Sequence, residues 1–260
     1  MYYALTEDQR QIQDLLRRVA REKVAQRADE IDRTAEYPHD MYALLKELGL
    51  FTLPFPTEYG GTGSMLSACI AIEELARVCY NTAYLLLVQW VPFGAILHGG
   101  TDEQKGRLLP GLASGEMRGA FSTTEAQSGS VVSGIRTRAV KAPGGFVLVA
   151  AKYEQGGKDG ISLFIVERGT PGFTVGKKED KIGARGVPSC PLFLDDVFVP
   201  EHNLVGGGFK AVMEAFNASR PLIGARGVGL AQGAIDHASA FIKERRAFGQ
   251  QICDFQGVRW

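Results

Sequence analysis

The sequence predicts an α+β fold in three parts: an N-terminal helical domain at 1–115, a small central β domain at 116–205 and a truncated C-terminal helical bundle at 206–260. Three observations carry this. Apolar residues recur at helical spacing as far as about residue 115. The pattern then changes to alternation broken by glycine and proline, and after Gly206-Gly207-Gly208 the helical spacing returns.

Each element has its own signal. Thr6 followed by Glu7 and Asp8 reads as an N-cap with acid in the first turn; Ile12, Leu15, Leu16, Val19, Val24 and Ile31 extend the period over about 25 residues. The period recurs in Met41 to Leu50 and in Leu66 to Val78. The apolar run Ala83 to Leu97, interrupted by Gln89 and Pro92, is too short to cross a bilayer and reads as a buried core helix. Thr101 to Gln104 is a capping box opening a helix that ends near Ser114 and Gly115. Strands are expected at Ala120 to Thr124, Ile135 to Val140, Gly145 to Ala151, Ile161 to Val166, Phe173 to Val175 and Pro191 to Val199. The third region keeps helical spacing from Val212 to Phe248, with Pro221 expected to kink or divide it, and Asp254 to Trp260 reads as the first two turns of a further helix.

Bulk composition narrows the function classes. With 29 basic and 29 acidic side chains the net charge is zero, so no broad positive field attracts a phosphate backbone, and nucleic acid is not an expected partner. The opening MYYALTEDQRQIQ lacks the basic-then-apolar order of a signal peptide; a cytoplasmic location with no membrane partner is expected. Cys69, Cys79, Cys190 and Cys253 are far apart, lie mainly in apolar contexts and form no C-x-x-C pair, which reads as buried free thiols. His39, His98, His202 and His237 are equally scattered, so no metal site is expected.

One stretch stands apart. RGAFSTTEAQSGSVVSG, Arg118 to Gly134, runs from an alternating pattern into a turn of small hydroxylated residues. By composition alone this is a surface hairpin turn. Its neighbours change that reading: GLFTLPFPTEYGGTG at Gly49, IEELARVC at Ile72, GTDEQKGRLLPGLASGE at Gly100, KIGARG at Lys181, LDDVFVPEHNLVG at Leu194, GLAQGAID at Gly229 and ERRAFGQQICDFQGVRW at Glu244 resemble, in order, the FAD-dependent acyl-CoA dehydrogenases.

The resemblance implies flavin-dependent α,β-desaturation of an acyl-CoA thioester to an enoyl-CoA, with a proton leaving the carbon next to the thioester and a hydride passing from the next carbon to the flavin. It places Phe121, Thr123, Thr124, Gly129 and Ser130 along FAD, with Ser130 also facing the acyl-CoA. It assigns Arg245, Arg246 and Phe248, with Phe255 and Gln256, to a segment that reaches FAD from a neighbouring subunit; an arginine suits phosphate because its fork stays charged and bonds oxygens in pairs. Asn217, Ser219 and Arg220 match the segment beside the thioester. The family further implies an electron-accepting flavoprotein partner, a homo-oligomer (dimer or tetramer) and a place in fatty acid metabolism. GARGVG at Gly224 lies inside a helical pattern and so does not read as a dinucleotide fingerprint.

The sequence also departs from the family. Ala126-Gln127 replaces the usual Pro-Gly, and Val131 replaces an aspartate. The family's glutamate base lies either far downstream of the matched region or at the position of Ser219, so no catalytic residue is assigned here. Gly144 to Gly160 lacks the usual flavin-packing strand. Two rivals to an active dehydrogenase follow: a silent relative that binds acyl-CoA or a partner subunit, and a fragment of an active enzyme. A bundle shortened at this point exposes an apolar face and is expected to self-associate or bind a partner.

Overall fold

A computed structural model describes residues 4–139, 149–153 and 160–260. Six helices come first: α1 Glu7–Val19, α2 Ala25–Thr34, α3 His39–Glu47, α4 Met65–Ala76, α5 Tyr80–Gly99 and α6 Asp102–Ser114. Thr6 caps α1 through a reciprocal bond pair with Gln9, and Thr101 caps α6 in the same way with Gln104. A π-helical turn, Ala20–Val24, joins α1 to α2, so the expected helix of about 25 residues runs from Glu7 to Thr34 with Val19, Ala20 and Val24 all buried. Ala35 in the left-handed region (φ 57°) stops it.

The apolar run is longer than the sequence reading allowed. α5 spans 20 residues with Pro92 inside, long and apolar enough to cross a membrane by those criteria. Its sides are instead covered by α4, α6 and a long later helix, and Leu85, Leu86, Ala95 and Ile96 belong to the main core.

The central region holds strands β1 Val149–Lys152, β2 Ile161–Phe164, β3 Phe173–Val175, β4 Leu192–Leu194 and β5 Leu204–Val205. β2 lies between β1 and β5, antiparallel to both, and β3 pairs with β4. Several expected strands are shorter or absent. Ala120 to Thr124 is no named strand. The described part of the next expected strand, Ile135 to Ala139, follows a 3-10 turn, Val132–Gly134, and carries a single bridge, Arg138 to Lys152. Pro191 to Val199 keeps only β4, because Asp196 takes a left-handed conformation (φ 45°) that breaks the extended run. Val140, the rest of the Gly145 to Ala151 strand, the Pro143-Gly144-Gly145 and Gly156-Gly157 turns, and most of the departure at Gly144 to Gly160 lie outside the described residues.

The long helix α7, Gly208–Glu244, is not divided at Pro221, whose ring is exposed. Its buried stripe, Ala211, Val212, Ala215, Ser219, Leu222, Arg226 and Gly229, packs on α4 and α5. The contact is close: a methyl placed on Gly229 would sit 2.2 Å from the Glu73 carbonyl oxygen. Ile223, Val228, Leu230, Ile235 and Phe241 of α7 are about half exposed. Strands β6 Arg246–Ala247 and β7 Gln250–Gln251 form a hairpin, and a short helix α8, Gln256–Arg259, replaces the expected two turns. All four cysteines are free, but only Cys79 is buried; the others sit at half-buried positions where partial exposure of a small side chain costs little.

Candidate functional site

The Arg118 to Gly134 stretch folds back on itself between Glu125 and Ser128. Their backbones exchange hydrogen bonds of 2.8 and 3.0 Å across Ala126-Gln127. The Glu125 carboxylate then accepts from the Arg136 amide at 2.7 Å, the Thr137 amide at 2.8 Å, the Thr137 hydroxyl at 2.5 Å and the Gln127 side-chain amide. Burial pushes this carboxyl up, yet the Thr137 hydroxyl and the two backbone amides outweigh it and hold the pKa at about 2. Ser128 is buried and donates to the Val131 carbonyl at 2.5 Å. Glu125 and Ser128 therefore fasten the turn inward.

What they leave outward is the candidate cradle. Thr124, Gly129 and Ser130 are exposed, and Phe121 and Thr123 are half-buried. Among the described residues the hydroxyls of Thr123, Thr124 and Ser130 make no hydrogen bond, so their donors and acceptors are unspent. A methyl on Gly129 would meet only Thr124 Cγ2, at 3.7 Å, so the space above it is open. A cavity of about 130 Å³ opens beside Thr123 and Thr124, lined also by Ile135, Thr137 and Leu192. That is smaller than the roughly 300 Å³ of a small-molecule pocket. The open face beside it instead sets spare hydroxyls and bare backbone side by side, groups of the kind that bond the polar edge of a planar ring.

The thioester-side residues stand on α7. The Phe121 ring meets Phe216 edge-on at 5.8 Å, and Ser219 follows one turn later. Phe121, at the start of the stretch, is thus brought beside the turn of α7 that carries Ser219. Ser219 is buried, and its hydroxyl donates to the Phe216 carbonyl at 2.9 Å. Asn217 and Arg220 lie on the exposed side of the helix, bonded to each other through their side chains. The helix continues unbroken through Arg220 and Pro221, and the long Arg220 side chain reaches solvent.

The remaining cofactor candidates sit at the other end of α7. Arg245 ends the helix, and the β6–β7 hairpin turns through Phe248 (φ 49°) and Gly249 (φ 83°). Phe248 is 97% exposed, its ring 6.3 Å from that of Phe255. Arg246 donates to the Gly249 carbonyl at 2.9 Å; Arg245 and Gln256 are exposed. At 1.5 Å rise per residue, some 40 Å of helix separates Phe216 from Arg245. One copy of the chain therefore does not bring this hairpin to its own Phe121 to Ser130 turn. Sequence reasoning gave Glu125 no role, since the amides it binds lie 11 and 12 residues away and no local signal marks them.

Comparison with known proteins bears on this arrangement. Residues 6–116 match the acyl-CoA dehydrogenase N-terminal domain, 144–197 the middle domain and 206–260 the C-terminal domain. A cyclohexane-1-carbonyl-CoA dehydrogenase of Geobacter metallireducens is 36% identical over 98% of this chain and 73% of its own length. The chain belongs to the acyl-CoA dehydrogenase family. Butyryl-CoA dehydrogenase from Megasphaera elsdenii shares the fold with a TM-score of 0.89 and 32% identity, over 100% of this chain and 75% of that one. A chain in the structure titled as the electron transferring flavoprotein of Acidaminococcus fermentans aligns with a TM-score of 0.91 at 34% identity, covering 100% of this chain and 74% of that one. Acyl-CoA dehydrogenases are flavin-dependent oxidoreductases acting on CH–CH donors. The domain matches leave 117–143 uncovered, so the roles of Phe121 to Ser130 rest on their place in the order and on their geometry.

Proposed function

We propose that this chain binds FAD along Phe121, Thr123, Thr124, Gly129 and Ser130 and takes an acyl-CoA thioester beside Ser130, Asn217, Ser219 and Arg220. The observation that carries the reading is the turn whose Glu125 and Ser128 are bonded inward while Thr123, Thr124 and Ser130 keep their hydroxyls free. FAD, when bound, supplies the acceptor for the hydride leaving the β-carbon. The chain's own part is to orient: hydroxyls and amides fix the ring's polar edge, and the packing of Phe121 on Phe216 sets its distance from the thioester end of α7.

A second copy delivers Arg245, Arg246, Phe248, Phe255 and Gln256 to the diphosphate. The length of α7 and the exposure of Phe248 support this, as do the half-exposed apolar residues of α7. Electrons then pass to a flavoprotein acceptor, in line with the family.

A second reading has one observation behind it. At Ser219, where some members hold the base, this chain has a buried hydroxyl already spent on the Phe216 carbonyl and no neighbouring carboxylate in its bonds. Such a chain binds thioester without desaturating it. Anaerobic titration of the FAD-loaded protein with acyl-CoA separates the two. Loss of the flavin's visible absorption establishes desaturation; saturable binding with an unreduced flavin establishes the silent relative; no binding of either ligand ends both.

A further inference from the structure

Two residues interrupt the apolar run of α5, Gln89 and Pro92, one turn apart and both buried. A glutamine inside a core helix is costly unless its amide is fully bonded. This one is. Nε2 donates to the Leu112 carbonyl at 2.9 Å and to the Met117 carbonyl at 2.5 Å, and Oε1 accepts from the Gly119 amide at 3.3 Å. The first bond helps to close the C-terminus of α6, where the Gly115 amide also reaches the Leu112 carbonyl. A cap for α6 needs no more than that. The other two bonds go to the chain that leads into the candidate cradle.

Pro92 meets the same chain. A methyl placed on Gly119 would fall inside van der Waals contact of Pro92 Cγ, a ring atom that cannot turn away, so only glycine lets the chain lie this close to α5. Between these contacts the Arg118 guanidinium carbon lies 4.3 Å from the centre of the Tyr42 ring and 4.9 Å from that of Tyr37. Three consecutive residues, Met117 to Gly119, are thus held in place, and the chain then runs without a turn from Arg118 to Thr124. Thr123 is at most about 14 Å of chain beyond Gly119.

The same part of α5 holds the other side of the site. A methyl on Gly94 would meet Ala215 Cα of α7 at 3.4 Å, and Ala215 directly precedes Phe216, on which Phe121 packs. One short stretch of α5, Gln89 to Gly94, therefore touches both the run into the cradle and the turn of α7 that leads to Ser219. It sets how far apart they stand.

We infer that Gln89 and Pro92 are positioning residues of the flavin site: they clamp Met117 to Gly119 onto α5 and so fix where Thr123 and Thr124 present their hydroxyls. This rests on the FAD reading above. The test is FAD affinity, read by flavin fluorescence well below every melting temperature, in wild type, Gln89→Met and Trp90→Phe. Both variants remove buried bonding from the same helix, but Trp90 donates to the Phe51 carbonyl, at 2.8 Å and outside the cradle stretch. Gln89→Met keeps the length of the side chain and drops its amide, and it is expected to bind FAD about tenfold or more weakly than wild type. Trp90→Phe is expected to melt lower and to bind FAD as wild type does. Unchanged affinity in Gln89→Met overturns the clamp and leaves the FAD reading intact; equal losses in both variants overturn it too, since they mark a general loosening of the helical domain. If Gln89→Met does not fold, a compensating pair decides. Gly119→Ala alone is expected to weaken FAD binding, and Pro92→Ala added to it to recover most of the loss; no weakening, or no recovery, overturns the clamp. Absence of FAD uptake by folded wild type overturns the flavin reading and the clamp with it.

Discussion

The four donors on the Glu125 carboxylate make it the fastening of the candidate cradle, although it is not one of the cradle's outward residues. Glu125→Gln exchanges a charge-assisted acceptor for a neutral amide that presents a donor to the Arg136 and Thr137 amides; a loss of about 1–3 kcal/mol is expected. The folded pKa of about 2 lies below that of an unfolded glutamate, roughly 4.3. The ionised carboxylate therefore contributes fully above about pH 4.3, and its contribution fades as pH falls through that value toward 2. Thermal melts of wild type and Glu125→Gln should differ by a constant amount near neutral pH and converge on acidification; a gap that widens in acid would contradict the assignment. At the hairpin tip, Phe248 holds a left-handed conformation that costs a non-glycine residue about 1–2 kcal/mol. Phe248→Asn should leave the chain as stable as before or slightly more so, yet weaken FAD binding, measured by flavin fluorescence. Unchanged FAD affinity would remove Phe248 from the cofactor site.

At the scale of elements, the packing of α7 on α4 and α5 sets where Phe121 meets Phe216, one turn before Ser219. Two glycines there make opposite predictions. A methyl on Gly229 would sit 2.2 Å from the Glu73 carbonyl oxygen, whereas one on Gly94 would meet Ala215 Cα at an ordinary 3.4 Å. Gly229→Ala should destabilise by about 1–3 kcal/mol despite the better helix former, and Gly94→Ala should stay within about 1 kcal/mol of wild type. Denaturant melts check both, and equal effects would show that the close approach is not where it is drawn. The helices were legible because caps and periods are local: Thr6 with Gln9 and Thr101 with Gln104 sit where the sequence put them. The strands were less so. Alternation in Ala120 to Thr124 says that side chains face opposite ways, not that a neighbouring strand is present to pair with. The cradle's outward residues could be named from the resemblance. Glu125 could not, since it acts on amides 11 and 12 residues away.

For the whole molecule, Ile223, Leu230 and Phe241 share one face of α7 and Val228 and Ile235 another, and with Phe248 and Trp260 they leave much apolar surface exposed. The proposed trans delivery of Arg245 and Phe248 would link this to the cofactor: assembly and FAD uptake should then rise together with protein concentration. Light scattering with and without FAD is expected to show a larger species when FAD is present; a monomer that binds FAD fully would contradict the trans site. All of this depends on the Phe121 to Ser130 turn being the flavin's seat, and an equilibrium titration with FAD tests that most directly, using wild type beside the Thr124→Val/Ser130→Ala double variant. The account predicts saturable uptake by wild type and a loss of about tenfold or more in the variant, as two unspent hydroxyls are removed. Absence of uptake by folded wild type, or equal affinity in the variant, would contradict it.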